Sequence, residues 1–365
     1  MKTKLLLIHN VVAPYRLPLF EEVAKKVDLT VSYIQKNDEN RLWKQKDVTP
    51  NYQTIYLNSE RKKIFGKNIF FLKSHDLNFN DYDLIILPDD QTYFLVVYQL
   101  LLKIKQCEKL PKIIFWTGNF SYYRPFNSKN INGIVVFLLS FIRKTYFYNY
   151  ANFFWSYSNN TTRLLIERFE IPNKVISTGL QGYPEKQILF NHKDINYTKR
   201  YNSKSLVFIG YPSKRKNLEF VANTLKKYDN INFKIYCIGP IPTVKIENIT
   251  YLGYFDKREK FEQLNNFSYA ILPSKAEPWG WVVNECMAIG LPILVSEAVM
   301  AKEMITDEQL IFDLNENSLI KSLNYINELS LENYTKLSKE SIANSKFHTL
   351  QKTTQSFDKI LDNIQ

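Results

Sequence analysis

The sequence predicts an α/β protein of two doubly wound domains, and three observations predict it. Short apolar, β-branched runs alternate with amphipathic stretches along the chain. The alternation stops once, in a polar segment near the middle, and then restarts. The 365 residues also exceed what a single hydrophobic core of roughly 250 to 300 residues supports. Strands that alternate with helices imply parallel sheets covered on both faces.

Taken in order, "KTKLLLIHN" reads as a strand, "LPLFEEVAKKV" has helical spacing, and "DLTVSYI" is a second strand. The pattern repeats with "YDLIILP" and the helix "TYFLVVYQLLLKIKQ". "KIIFW" follows, then a loop and a helical region from about Ile131. "NFFWSYS" is a strand, "NTTRLLIERFEI" a helix with Asn or Thr available as its N-cap, and "NKVISTG" a further strand. "EKQILFNHKDINYTKRYNSK" is polar, charged and without periodicity, which makes 186–204 a linker. The alternation restarts with "SLVFIG", "NLEFVANTLKKY", "NFKIYCIG" and "NITYLGY", then "KREKFEQLNNF", "YAILPS", "WGWVVNECMAIG" and "LPILVS". The end, "SIANSKFHTLQKTTQSFDKILDNIQ", is helical, amphipathic and long enough to pack across both domains. The expected domains are therefore 1–185 plus about 345–365, and 205–344. Such sheets bind ligands at the carboxyl ends of their strands, so the expected site is a crevice between the domains.

Composition narrows the class. Hydrophobic residues at 45% and charged residues at 23% exclude a disordered or fibrous chain. Cys107, Cys237 and Cys286 are odd in number and far apart, so neither a disulfide framework nor a CxxC metal site is expected, and a reducing compartment fits. The apolar run Leu5–Ile8 is too short for a signal peptide. The stretch from Ile131 holds about a dozen uncharged residues where a bilayer span needs about 20.

A net charge of +12 suits an anionic partner or plain solubility. "RKKIFGKNIFFLKS" and "FIRKTYFYNY" mix cations with aromatics in a way that suits anionic headgroups. No nucleic-acid-binding signature accompanies them, so nucleic acid is not an expected partner. "DYD" at Asp81–Asp83 has the D-x-D form of a metal site but precedes its strand, at the wrong end, and the four histidines lack ligand spacing. No metal is expected. Asp89 and Asp90 stand at the correct strand end, for acceptor contact or for helix capping.

"SKAEPWGWVVNECMAIGLP" is the stretch that points to chemistry. Pro278 disfavours helix at Glu277, which places that carboxylate on the loop leaving "YAILPS". Gly280 permits close backbone approach, and a helix begins near Trp281. Its first N–H groups, at Trp281, Val282 and Val283, form a ready site for phosphate. Glu285 lies about one turn further in, where it can accept hydrogen bonds from two adjacent hydroxyls such as those of a ribose. Solvated glutamates on an amphipathic helix are the alternative, but Val282, Val283, Cys286, Met287 and Ile289 leave little polar face.

From Pro273 to Ser296 this stretch resembles the E-x7-E motif of retaining GT-B glycosyltransferases of family four. The resemblance implies the GT-B fold: two Rossmann-like domains, the first for acceptor and the second for nucleotide sugar. It assigns Glu277 to the transferred sugar, Glu285 to the ribose, and the Gly280–Val283 backbone to the diphosphate. "LVFIGYPSKRKNLEFV" is similar to the family's phosphate-binding loop, with Gly210 at its turn, Lys216 in the lysine position and Arg215 before it. Tyr211 stands where an arginine is usual, so Arg215, Lys214 or Arg16 must substitute. Gly239 and Pro240 in "CIGP", and Tyr254 in "YLGYFD", match base-binding loops.

In the first domain, "NVVAPYRLPLF" (Asn10, Pro14, Tyr15, Arg16) is similar to a first loop that faces donor phosphates or acceptor. Gly118 and Asn119 occupy a position where many members carry a histidine. The family works without metal or cofactor, which leaves a nucleotide sugar such as a UDP-sugar as co-substrate. A lipid-linked glycan acceptor is expected, in bacterial capsule or lipopolysaccharide assembly. The chain is then cytoplasmic and peripheral at the inner face of the membrane. A protein acceptor, a sugar-nucleotide epimerase, or a non-catalytic glycan or membrane binder of the same fold are the alternatives.

Overall fold

A computed structural model describes residues 2–36, 50–64, 67–74, 77–118, 138, 140–184, 188–228 and 230–364. The chain divides into one unit of Met1–Leu180 with Leu350–Gln365, and a second of Gln181–Thr349.

The first unit holds β1 (Lys4–Val11), β2 (Asp28–Gln35), β3 (Gln53–Tyr56), β4 (Asn58–Ile64), β5 (Lys67–Ser74), β6 (Leu84–Pro88), β7 (Lys112–Thr117), β8 (Phe153–Ser156) and β9 (Ile176–Thr178). Seven of these form a parallel sheet in the order β3-β2-β1-β6-β7-β8-β9. Strand alternation divides the core. Leu6 and Ile8 of β1 join one apolar cluster, and Leu5 and Leu7 join the cluster on the opposite face, as expected for a parallel sheet buried on both sides.

Strands β4 and β5 form an antiparallel hairpin, an element absent from the sequence expectation. It includes the basic aromatic segment from Arg61, and its Phe70 and Leu72 are buried. Those two side chains therefore serve the core and are not free for a membrane. In the second basic aromatic segment Arg143, Phe147 and Tyr148 are likewise buried, while Phe141, Ile142 and Tyr150 are exposed. The N-cap of the helix Asn159–Phe169 is Ser158, whose side chain accepts from the Thr161 amide, two residues before Asn160, where the expected helix begins.

The second unit holds β10 (Ser205–Ile209), β11 (Lys234–Ile238), β12 (Ile249–Gly253), β13 (Tyr269–Leu272), β14 (Ile293–Ser296) and β15 (Ile311–Phe312). They form a second parallel sheet, ordered β12-β11-β10-β13-β14-β15.

The expected linker over 186–204 is not a tether where it is described. Residues Tyr197–Asn202 form a short helix whose Arg200 is fully buried. Its guanidinium donates to the carbonyls of Ile289, Gly290 and Asn265 and to Asn265 Oδ1, at 2.8 to 3.4 Å. The expected single terminal helix is two: Leu331–Ser345 in the second unit and Leu350–Asp362 in the first. The break holds a bridge between Tyr183 and Thr349, with the Tyr183 amide donating to the His348 carbonyl. The last helix packs in the first unit, where Phe357 lies 5.4 Å from Trp155 and Ser356 Oγ accepts from the Trp155 indole.

Candidate active site

In the second sheet the winding reverses between β10 and β13: β11 and β12 extend one side, β14 and β15 the other. The loops leaving the carboxyl ends of β10 and β13 are thus neighbours, which is where open α/β sheets bind ligands. The Lys275 amide donates to the Arg215 carbonyl at 2.8 Å and ties the two loops together.

Three expected site residues meet there. Lys216 Nζ and Arg215 Nη1 both pair with Oε2 of Glu277, the arginine at 2.9 Å. Arg215 also donates to the Ala276 carbonyl at 2.6 Å. The Glu277 main chain is fixed as well, its amide donating to Ala298 O at 3.1 Å and its carbonyl accepting from Met300 N at 3.2 Å. Burial alone raises the pKa of Glu277, but the Lys216 and Arg215 charges outweigh it and hold the carboxyl below its ordinary value. Glu277 is therefore an ionised, anchored carboxylate. Of the cations considered for the arginine missing at Tyr211, Arg215 is the one brought to Lys216. Lys214 is exposed on the same loop.

Gly280 has φ +106°, and a Cβ there would stand 3.1 Å from both Leu272 Cδ2 and Val299 Cγ1. Glycine lets the loop turn tightly into the helix Trp281–Ala288, which has no side-chain cap and no acidic residue in its first turn. Trp281 and Val282 are partly exposed and Val283 is buried. Glu285 is on this helix, 14% exposed, and its Oε1 accepts from Lys260 Nζ at 2.7 Å and from the Tyr183 hydroxyl at 3.3 Å. Burial, and then the neighbouring Glu285 charge, push the Tyr183 pKa up. Neither Lys260 nor Tyr183 is legible as a partner of Glu285, because only the fold brings those elements together.

Gly210, Gly239 and Gly253 end or follow β10, β11 and β12, all with positive φ. A Cβ on Gly239 would lie 2.5 Å from the Gly210 carbonyl oxygen, so close approach of these strand ends requires glycine. Beside them Tyr211 and Tyr254 are exposed, at 53% and 60%, and Pro240 is partly exposed. The carboxyl edge of this sheet thus presents two aromatic faces next to the charged loops.

In the first unit the reversal falls between β1 and β6. Arg16 follows β1 but is 5% exposed, its guanidinium 4.5 Å from the Trp116 ring centroid, 5.0 Å from Tyr157 and 5.4 Å from Tyr15. Asn10 accepts from the Val11 amide, and Pro14 is exposed. A Cβ on Gly118 would lie 1.9 Å from the Tyr157 ring, so glycine makes room for it. Asn119 lies outside the described residues.

At the end of β6, Asp89 pairs with buried Arg143 and accepts from Thr117 Oγ1 and the Tyr148 hydroxyl, both at 2.7 Å. Asp90 caps the turn at Thr92. Both aspartates therefore do structural work. Asp83 accepts from the Lys4 amide at the opposite end of the strand, and His9 is buried against Phe20, Tyr33 and Trp116.

The fold is GT-B, the fold of the glycosyltransferases of known structure that the chain resembles. Residues 203–326, which hold Lys216, Glu277 and Glu285, match the family described as glycosyl transferases group 1. Among curated proteins, the chain is 21% identical over 275 residues to an uncharacterized 41.2 kDa protein in the cps region of Klebsiella pneumoniae, covering 71% of this chain and 75% of that protein. It is 24% identical over 204 residues to the O-antigen biosynthesis glycosyltransferase WclY of Escherichia coli, covering 49% of this chain and 56% of WclY. Among solved structures, Anabaena HepE in complex with UDP and glucose superposes with a TM-score of 0.66 at 12% identity, over 99% of each chain.

Proposed function

We propose that the protein transfers a hexosyl unit from a UDP-sugar to a lipid-linked glycan, with retention at the anomeric carbon, during assembly of a bacterial surface polysaccharide. The observation that carries this reading is the convergence of Lys216 and Arg215 on Glu277 at the sheet's reversal point, beside an uncapped helix N-terminus. The similarity to WclY and to the cps-region protein supports the polysaccharide context. The UDP and glucose held by HepE support the donor.

The acceptor oxygen bonds to the anomeric carbon as the bond from that carbon to the donor phosphate oxygen breaks. The acceptor's proton passes to the departing phosphate oxygen on the same face. Negative charge grows on the leaving diphosphate, and Lys216, Arg215 and the helix amides at Trp281 and Val282 oppose it, so no metal is needed. Cations fixed where charge develops act most strongly on the transition state. Glu277 orients the sugar and stabilises its positive character, and Glu285 takes the ribose hydroxyls.

Acceptor presentation places the protein at the inner membrane face. Exposed Leu138, Phe141, Ile142 and Tyr150 beside Lys144 support that placement. Among the described residues no helix is long and apolar enough to cross a membrane, so contact would be peripheral.

Glu285→Ala is expected to raise the Kd for UDP by about tenfold or more, the value of a hydrogen bond to a charged group. Titration calorimetry checks this, and unchanged affinity would remove Glu285 from the nucleotide site.

A further inference from the structure

Glu285 poses an electrostatic problem. A carboxylate beside a bound diphosphate repels it, and a half-buried carboxylate without donors is costly. The structure meets both demands at Oε1, where Lys260 and Tyr183 donate together. Lys260 is itself only 17% exposed, so the pair is partly shielded and its geometry is held. The Tyr183 ring also packs edge-on against Trp281, the first residue of the helix, at 5.9 Å between centroids. Across the site, three cations (Lys216, Arg215 and Lys260) face two carboxylates, which leaves a net positive field for an anionic ligand.

We propose that Lys260 and Tyr183 are positioning residues that clamp Glu285 through Oε1, leaving Oε2 to accept the ribose hydroxyls of the nucleotide. The proposal rests on the nucleotide-sugar reading of the site and adds how this chain discriminates a ribose. A carboxylate has about four acceptor sites. Among the described residues both donors use one oxygen, so the other keeps its capacity. Losing Lys260 frees the side chain to rotate and exposes the nucleotide to an uncompensated negative charge. Losing the Tyr183 hydroxyl removes one of the two restraints and keeps the ring on Trp281.

The test is the ratio of Kd values for 2′,3′-dideoxy-UDP and UDP, measured on the full chain. Wild type is expected to favour UDP by about tenfold, the worth of a charge-assisted hydrogen bond. In Lys260→Met the ratio falls to about twofold or less, Lys260→Arg restores most of it, and Tyr183→Phe gives an intermediate ratio. A merely structural ion pair would weaken both ligands equally and leave the ratio intact, which overturns the proposal. Should Lys260→Met not fold, Tyr183→Phe decides by the same ratio. Wild type binding UDP without preferring it over the dideoxy compound overturns the clamp but not the diphosphate site. Wild type binding neither compound overturns both.

Discussion

Glu277→Gln is expected to lower kcat by about 10²- to 10³-fold, the usual loss on removing one fixed charge or donor from a reacting centre, while UDP binding is retained or tightened. The direction of the second effect follows from the ion pairs. Lys216 and Arg215 are both engaged by Glu277 before ligand arrives, so an amide frees them for the diphosphate. Steady-state kinetics together with UDP titration separate the two effects. Unchanged kcat would move the sugar contact elsewhere.

Acid stability offers a second view of the same residue. Glu277 is depressed below its ordinary pKa, so its pairing stabilises the fold above the unfolded carboxylate's pKa. That contribution is lost as pH falls through the depressed value. The glutamine variant should therefore lose less stability on acidification than wild type.

Arg200→Met is expected to destabilise the second unit by roughly 3 kcal/mol, the worth of one or two hydrogen bonds to a charged group, lowering its thermal transition by roughly 6 to 12 °C. Arg200 is fully buried, and its guanidinium donates to the carbonyls of Ile289 and Gly290, the second of which also accepts from Ser338 Oγ. Those carbonyls close the helix that carries Glu285. Gly290 has φ +65°, and a Cβ there would meet Ser338 Oγ and Ile342 Cδ1 at 2.9 Å, so the turn has no slack with which to rearrange. Calorimetry on the full chain checks the shift, and a transition within about 1 °C of wild type would show that the carbonyls find other partners.

Arg200 also shows where sequence reasoning reaches its limit. "TKRYNSK" is polar and aperiodic, and polarity normally marks solvent exposure. Here one cation is buried because the carbonyls at a helix end need a donor, and no local pattern announces that. The hairpin β4 and β5 was hidden for a related reason: its lysines and arginine look like a surface cluster, while Phe70 and Leu72 complete the core. By contrast, the apolar strands from β6 to β14 were legible, because a parallel sheet buried on both faces leaves continuous apolar runs. The loop position of Glu277 was legible too, since Pro278 and Gly280 dictate backbone geometry locally. That Arg215, and not a residue at Tyr211, reaches Glu277 depends on two loops lying side by side at the reversal of the sheet. The Lys260 contact depends likewise on the packing of two successive helices on either side of β13, which spacing along the chain does not announce.

The central claim is that the charged loops after β10 and β13, with the helix that follows, bind and activate a UDP-sugar. The most direct measurement is UDP release by the wild-type chain from a panel of UDP-hexoses, with a lipid-linked glycan acceptor in anionic vesicles and EDTA present. The expected result is acceptor-dependent UDP release with an α-linked product, at a rate EDTA does not change. No UDP release from any donor by the folded protein would contradict it.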